Sequence, residues 1–180
     1  MKKLLAGAIA LLLSTAAQAQ TPQLPSNYIG RVGGVTTEVC AVPVVTAGLY
    51  AAGNSVGGLI VLPNAFLSAN AGKLQSIRLT IKSVQTVEFD VTLFSSLPST
   101  TFTDHAAPAI VAADTLLAQP TIKLTNNSSV LGIMTVYGSD NIGRAIKQAG
   151  SAAYAVVVTT GTPTLASISD LQLCASFSDD

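Results

Sequence analysis

The alternation of apolar and polar residues between positions 77 and 93 restricts the fold of this chain more than any other feature. In residues 77–82 (IRLTIK) and again in 87–93 (VEFDVTL), every second residue is apolar. A period of two is typical of a β-strand with one buried face, so Phe89 is expected in the core. Because only the short segment 83–86 separates the two runs, we predict an antiparallel hairpin. The charges between the apolar residues, basic in the first run and acidic in the second, indicate a solvated sheet face.

Similar but shorter patterns predict strands along most of the remaining chain. Residues 154–159 (YAVVVT) indicate a strand that is buried on both faces, and residues 171–177 alternate up to Phe177. Further strands are predicted at 38–42, 53–62 (after a turn), 109–113 and 130–137, with loops at 63–73 and 95–108 and a turn at 126–129. One segment changes to helical periodicity, with a possible cap at Ser139 or Asp140 and a stop at Gly150. The expected fold class is all-β, an antiparallel sandwich or jelly roll with one short helix near residues 140–149.

The N-terminus has the organisation of a secretory signal peptide. Lys2 and Lys3 precede ten apolar residues at 4–13, and Ala17-Gln18-Ala19 fits the small-x-small cleavage rule. Ten residues are too few to span a bilayer about 30 Å thick. We predict cleavage after Ala19, an extended leader at 20–27 and a single domain at 28–180. An anchoring segment or a buried N-terminal helix is the alternative. The mature chain is predicted to contain no membrane span and to be periplasmic or extracellular.

Export affects the expected state of the two cysteines, Cys40 and Cys174, which are the only two in the sequence. In an oxidising compartment such a pair usually forms a disulfide. The chain-entropy model assigns about 5 kcal/mol to the closure of so long a loop, as an upper estimate. Two separate thiols are the alternative. Cys174 shares the polar alternation of its strand, so a bridge would lie on an outer face or at a sheet edge.

The titratable residues do not form a recognisable catalytic or metal-binding motif. The single histidine, His105, follows Asp104 in a threonine-rich loop, and no GxSxG motif supplies a nucleophile. The carboxylates of Asp104, Asp114, Asp140 and Asp170 could act in pairs or bind calcium, but their spacing does not place them together. Nine basic and nine acidic residues give no net charge, which disfavours nucleic acid as a ligand. We therefore expect no enzyme activity, no catalytic residue, no cofactor and no metal.

Several short motifs between residues 57 and 173 resemble a family of known proteins. A strand starts at Gly57-Gly58, the stretch GKLQSIRLTIKS follows at 72–83, and the second strand of the predicted hairpin ends in Leu93-Phe94. Pro98 then leads to Thr-Phe-Thr-Asp at 101–104. A Val-Thr-x-Gly-x-Pro-Thr stretch at 158–164 precedes Ser-Asp-Leu at 169–171. This combination resembles structural proteins encoded by tailed phages and prophages. The resemblance implies a virion-associated β-sandwich, such as a capsid decoration or fibre component, and it implies no catalytic residues. The signal peptide and the cysteine pair do not fit a virion protein, because virion proteins assemble in the cytoplasm. They favour either a module that the host has recruited for secretion or a phage protein with an N-terminal anchoring segment.

Two classes of function remain open at this stage. The first is a non-enzymatic structural module that associates with itself or with other structural proteins. The second is a secreted or periplasmic module that binds a carbohydrate or a cell surface. Only 10% of residues are charged, against about 25% in an average soluble domain. Surfaces covered by partners would explain the difference, and so would an extracellular surface rich in threonine and serine. The candidate contact surface is the loop at 95–108, in particular Phe102, Thr103, Asp104 and His105, followed by the last strand.

Overall fold

The computed structural model describes residues 36–66, 71–115, 117–119, 121–130 and 132–179. The predicted signal peptide, its cleavage site and the extended leader lie outside these residues. Within the described ranges, no helix combines the length and the apolar character that crossing a membrane requires.

The described residues form antiparallel β-strands and a single helical turn, which confirms the all-β prediction. The helix, α1, comprises Ala112–Thr115. The strands are β1 (Thr36–Ala41), β2 (Gly48–Leu49), β3 (Ser55–Leu62), β4 (Ala71–Ile81), β5 (Phe89–Phe94), β6 (Ile122–Leu124), β7 (Asn126–Val130), β8 (Met134–Ser139), β9 (Arg144–Lys147), β10 (Ala153–Thr159), β11 (Thr164–Leu165) and β12 (Leu171–Asp179).

The strands belong to three sheets. Sheet 1 has the order β1-β12-β4-β8-β7, and β9 pairs with the first part of β4. Sheet 2 has the order β3-β10-β5-β6, and the small sheet 3 consists of β11 and β2. The strand β4, which is 11 residues long, is central in sheet 1 because it pairs with β12 along one edge and with β8 and β9 along the other.

One large cluster of buried side chains takes residues from sheets 1 and 2. Ile77 and Leu79 enter it from β4, and Phe89 and Val91 enter it from β5. The rings of Phe89 in sheet 2 and Tyr137 in sheet 1 lie 5.1 Å apart in an edge-to-face arrangement. Phe89 is fully buried, as the alternation predicted. We refer to the face of each sheet opposite this main core as its outer face.

The predicted hairpin between residues 77 and 93 is wrong. Its two strands form as expected, but β4 lies in sheet 1 and β5 lies in sheet 2. The charges consequently find other partners, because Arg78 pairs with Glu38 at 2.9 Å and Asp90 lies 3.9 Å from Lys123. Alternation identifies the buried face of a strand, but that face can equally pack against a second sheet.

The helix predicted near residues 140–149 is also wrong, since this segment contains β9. Asn141 and Gly143 adopt positive φ angles of 55° and 61°, which interrupt a right-handed helix before it can begin. Only Ile146 among the four residues of β9 is buried, and the strand pairs with β4. Pairing with a long central strand therefore outweighs the helical spacing of the apolar residues.

Four smaller predictions need correction. The strand expected at 109–113 is replaced by a coil that leads into α1. The turn expected at 126–129 lies within β7, and the strand expected at 130–137 is a hairpin of β7 and β8 that turns at Gly132, whose φ is 68°. The loop expected at 63–73 ends earlier, because β4 begins at Ala71.

The strand ends of sheets 1 and 2 define a lower and an upper end of the molecule. We call the lower end the one where β4 and β10 finish and where β3, β5 and β12 begin. Two hydrogen bonds join the loops at this end, one from Lys82 N to Asp170 O (2.9 Å) and one from Thr160 N to Glu88 O (3.0 Å). At the upper end β3 and β5 finish and β10 begins.

Candidate functional site

The predicted contact loop, residues 95–108, crosses the outer face of sheet 2 from the upper to the lower end. Its first residue, Ser95, donates to Leu117 O at 2.8 Å, and its last turn pairs with the start of β3 through His105 N to Ser55 O at 2.9 Å. We refer to residues 95–108 as the crossing loop. It explains why β10 is buried on both faces, as predicted: Val157 belongs to the main core and Val156 lies beneath the loop.

Phe102 fastens the middle of the crossing loop to the sheet. Its side chain is 7% exposed, and its ring centroid lies 5.5 Å from that of Phe94, with Val156 in the same small cluster. Gly58 permits this close approach, because a Cβ there would lie 2.7 Å from the carbonyl oxygen of Phe102. The expectation that Phe102 offers an apolar contact to a partner is therefore wrong; the residue belongs to the core of this chain.

Asp104 fastens the end of the crossing loop at the lower end. One carboxylate oxygen accepts the backbone N–H of Gly57 at 2.6 Å, and the other accepts the backbone N–H of Thr46 at 2.6 Å. The hydroxyl of Tyr50 donates to the same carboxylate at 2.9 and 3.0 Å. One side chain thus joins the crossing loop to the 46–50 segment and to β3.

The hydrogen bonds and burial around Asp104 shift two pKa values. Burial alone would raise the pKa of Asp104, but the donors from Thr46, Gly57 and Tyr50 together hold it below its ordinary value. The pKa of Tyr50 is raised, first by burial and then by its hydrogen bond to the Asp104 carboxylate. At neutral pH the pair is therefore a charged acceptor and a neutral donor.

The two neighbours of Asp104 among the predicted contact residues differ in role. Thr103 is exposed. His105 has a positive φ of 63°, its Nε2 lies 2.8 Å from the carbonyl oxygen of Leu49, and its ring centroid lies 4.5 Å from that of Tyr50. Asp104 and His105 each bind the backbone of the 46–50 segment, so their adjacency in sequence serves loop attachment.

A second carboxylate, Asp114 at α1, holds the first half of the crossing loop. It accepts the backbone N–H groups of Ser99 at 2.9 Å and Thr100 at 2.6 Å, together with the Thr100 hydroxyl, and its side chain is 1% exposed. The hydrogen bond from Thr100 is the main reason that the pKa of Asp114 lies below its ordinary value. Thr100 Oγ1 also accepts the N–H of Val111 at 3.1 Å.

The other two carboxylates considered from the sequence lie elsewhere. Asp170 accepts the backbone N–H of Ala166 and the hydroxyl of Ser167 at 2.9 Å, which closes the turn before β12. Asp140 is exposed and lines a groove on sheet 1. Asp104 and Asp114 therefore hold the two halves of the crossing loop, and Asp170 holds the turn before β12.

Cys40 and Cys174 form the predicted disulfide across β1 and β12. Cys40 is exposed whereas Cys174 is 2% exposed, and the strand alternation places the bridge on the outer face of sheet 1. Glu38 lies beside it; these three residues are the one group of potential metal ligands within 4.8 Å of one another in the described ranges. Because both sulfur atoms are joined to each other, neither is available as a thiolate ligand.

Large apolar side chains are exposed mainly near the two ends of the molecule. The lower group comprises Val42, Val44, Leu49, Val84, Ile133 and Ile168, and the upper group comprises Val61, Leu97, Ile110 and Val111. The last strand, the second predicted contact surface, is paired on both sides by β1 and β4 and presents only its outer face.

Comparison with known proteins adds no family assignment. A scan against models of protein families gives no match, and a search of curated proteins gives none. Inferences about function therefore depend on the geometry described above.

Proposed function

We propose that this protein is an exported, non-enzymatic structural module that associates with itself or docks on an assembled surface. The observation that carries this proposal is the position of the exposed apolar side chains, which gather near the two ends of a chain with few charges. Contiguous exposed apolar surface on a soluble domain usually marks a contact with a partner.

The architecture that best accounts for the main core is a β-sandwich. Sheets 1 and 2 both contribute to one buried cluster, and the Phe89–Tyr137 ring pair joins them. We propose that the two sheets face each other across this cluster, as the sequence suggested. Such a framework would support contact surfaces at both of its ends.

The hydrogen bonds that Asp104 and Asp114 accept favour a structural role for the crossing loop. Asp104 and Asp114 each bind two backbone N–H groups, so the loop has little freedom. Leu97 and Val111 are exposed near the hydrogen bonds of Asp114. A contact surface that is ordered before binding loses less entropy on association, which increases affinity.

Export fits both the signal sequence and the disulfide. We predict that protein from its native host begins at Gln20, and intact-mass measurement tests this directly. A mass that includes Met1 would contradict export by cleavage. The resemblance to tailed-phage structural proteins suggests a virion component or a module recruited for secretion.

Association is tested by sedimentation velocity over a concentration series of the purified protein. We expect the average mass to rise with concentration, and substitution of Leu97 and Val111 by serine to reduce that rise. Arg78→Ala is the matched control, because Arg78 lies on the outer face of sheet 1 away from both groups. Monomeric wild-type protein at every concentration, together with no binding to particles or cell surfaces, would refute the proposal.

A polar groove favours a second candidate function, recognition of a carbohydrate or cell surface. It has a volume of about 280 Å³ on the outer face of sheet 1 and is lined by Glu38, Arg78 and Asp140 among others. Gly138 lies opposite Arg78 in the strand register, so no side chain fills this part of the face. Calorimetric titration with oligosaccharides would test it; binding that Arg78→Ala abolishes would support this alternative, and no heat signal would reject it.

A further inference from the structure

We propose that the disulfide is a site of thiol–disulfide exchange, at which a small external thiol attacks the sulfur of Cys40 and releases the thiolate of Cys174. This inference does not depend on the proposed self-association. It is carried by the position of the bridge at a sheet edge, by the unequal exposure of its two cysteines and by the charges beside it.

The bridge joins an edge strand to the strand beside it. Cys40 of β1 and Cys174 of β12 are directly opposite in the antiparallel register, with 4.0 Å between their Cα atoms. Among the residues that the structure describes, no strand pairs with the other edge of β1. On the far side of β12 lies β4, where Arg78 is the register partner of Cys174. The bridge therefore has an open sheet edge on the Cys40 side and a paired strand on the Cys174 side.

This placement determines which sulfur a thiolate can attack. The attacking thiolate approaches in line with the S–S bond, on the side away from the sulfur that leaves. Because the bond crosses from β1 to β12, the path to Cys40 comes from beyond the sheet edge, whereas the path to Cys174 passes over Arg78 on β4. Cys40 is also the exposed cysteine, and Cys174 is the buried one. Cys40 Sγ is therefore the attacked atom, and Cys174 is the leaving group.

Two opposite charges flank the bridge. A carboxylate oxygen of Glu38 and the two sulfur atoms lie within 4.8 Å of one another. Arg78 Nη2 donates to Glu38 Oε1 at 2.9 Å, and Arg78 lines the same groove as Cys174. The guanidinium offsets the carboxylate charge that repels an incoming thiolate. It also stabilises the thiolate that leaves, because a nearby cation favours the charged form of a cysteine.

Exchange transfers two electrons from external thiols to the bridge. The first thiolate forms a bond to Cys40 Sγ while the bond to Cys174 breaks, and Cys174 keeps the electron pair and takes a proton from water. A second external thiol then attacks the mixed disulfide, which releases Cys40 and leaves the two external thiols joined as a disulfide. No unfolding is required, because β1 stays paired with β12 and keeps Thr37 and Val39 buried.

Reaction of the native, oxidised protein with β-mercaptoethanol tests the attack. Samples are quenched with an alkylating reagent, and mass spectrometry of the peptides locates each product. We expect the mixed disulfide on Cys40 and the alkyl group on Cys174. The rate should be proportional to the thiol concentration and should change by less than about twofold in urea below the unfolding transition. A reaction that needs the unfolded chain would instead accelerate steeply with urea.

Three variants test the charges beside the bridge. Arg78→Gln should slow the reaction by about 3–10-fold, and Glu38→Gln should accelerate it by a similar factor, because the two charges act on a thiolate in opposite directions. Lys123→Gln is the matched control, since Lys123 lies in β6 of sheet 2 and its side chain is 73% exposed. This control should react at the wild-type rate. Circular dichroism checks that each variant is folded.

Two results would overturn the proposed site. The first is a mixed disulfide on Cys174 in place of Cys40, and the second is a bridge that reacts only as urea unfolds the domain. Equal rates for Arg78→Gln and Lys123→Gln would overturn the part assigned to Arg78. None of these results bears on self-association, which sedimentation tests separately.

Discussion

Replacement of Asp104 by asparagine should destabilise the domain although it preserves the shape of the side chain. The two carboxylate oxygens accept separate backbone N–H groups, from Gly57 and from Thr46, each at 2.6 Å. An asparagine has one oxygen and one NH₂ group. Either orientation of the amide therefore places a donor against one of the two backbone N–H groups.

The magnitude follows from these contacts. A hydrogen bond to a charged group contributes about 1.5–3 kcal/mol, and a backbone N–H left without an acceptor costs about 1–3 kcal/mol when buried. The Asp104 side chain is only partly buried, so water compensates for some of the loss. We expect Asp104→Asn to lower the free energy of unfolding by about 2–3 kcal/mol, a large part of the 5–15 kcal/mol typical of a domain.

Denaturant unfolding at neutral pH measures this change, with Asp90→Asn as the matched control. Asp90 lies 3.9 Å from an Lys123 side chain that is 73% exposed, so its removal should change stability by about 0–1 kcal/mol. Equal effects of the two substitutions would refute the interpretation of Asp104 as a lock.

The same lock predicts a direction for the pH dependence of stability. The pKa of Asp104 is lower in the folded state than the value of about 3.9 expected in the unfolded chain. The unfolded state therefore binds its proton first as the pH falls. The contribution of Asp104 is complete above the unfolded-state pKa and is lost as the pH falls through the folded-state pKa. The Asp104→Asn variant should show a shallower loss of stability below about pH 4 than wild-type protein.

Three further predictions concern the core and the disulfide. Phe89→Ala should cost about 3–5 kcal/mol in denaturant unfolding, whereas Arg78→Ala should cost under about 1 kcal/mol, and equal costs would contradict the buried face assigned to β5. Tyr137→Phe should be neutral or stabilising in thermal melts, because the buried hydroxyl has no hydrogen-bond partner among the residues that the structure describes, and burial raises its pKa to about 12. A loss above about 1 kcal/mol would reveal a partner. Joint replacement of Cys40 and Cys174 by serine should cost about 2–5 kcal/mol, and unchanged melts would show that the bridge adds no stability.

The sequence predicted the strands better than it predicted their partners. Alternation in β4, β5 and β12 identifies the buried residues because one sheet face lies in the core. It does not distinguish a neighbour in the same sheet from one in another sheet, which is why β4 and β5 were expected to pair. The helical spacing of residues 142–149 was misleading for a similar reason, because Ile146 is buried through pairing with β4.

The hydrogen bonds of Asp104 could not be predicted, because its partners are distant in the chain. Thr46 and Gly57 lie 58 and 47 residues from Asp104, and no local spacing indicates such contacts. One signal was present in Gly57-Gly58, two glycines within a strand, which often mark a close approach of another backbone. That signal predicts a segment lying against β3. The segment is the crossing loop, whose Phe102 side chain packs against sheet 2.

Sedimentation velocity of the wild-type protein, with its disulfide intact, tests the central proposal most directly. Measured from micromolar to near-millimolar concentration, the average mass should rise steadily above that of one chain, since weak specific contacts have dissociation constants in this range. A single species with the mass of one chain at every concentration would contradict a self-associating structural module.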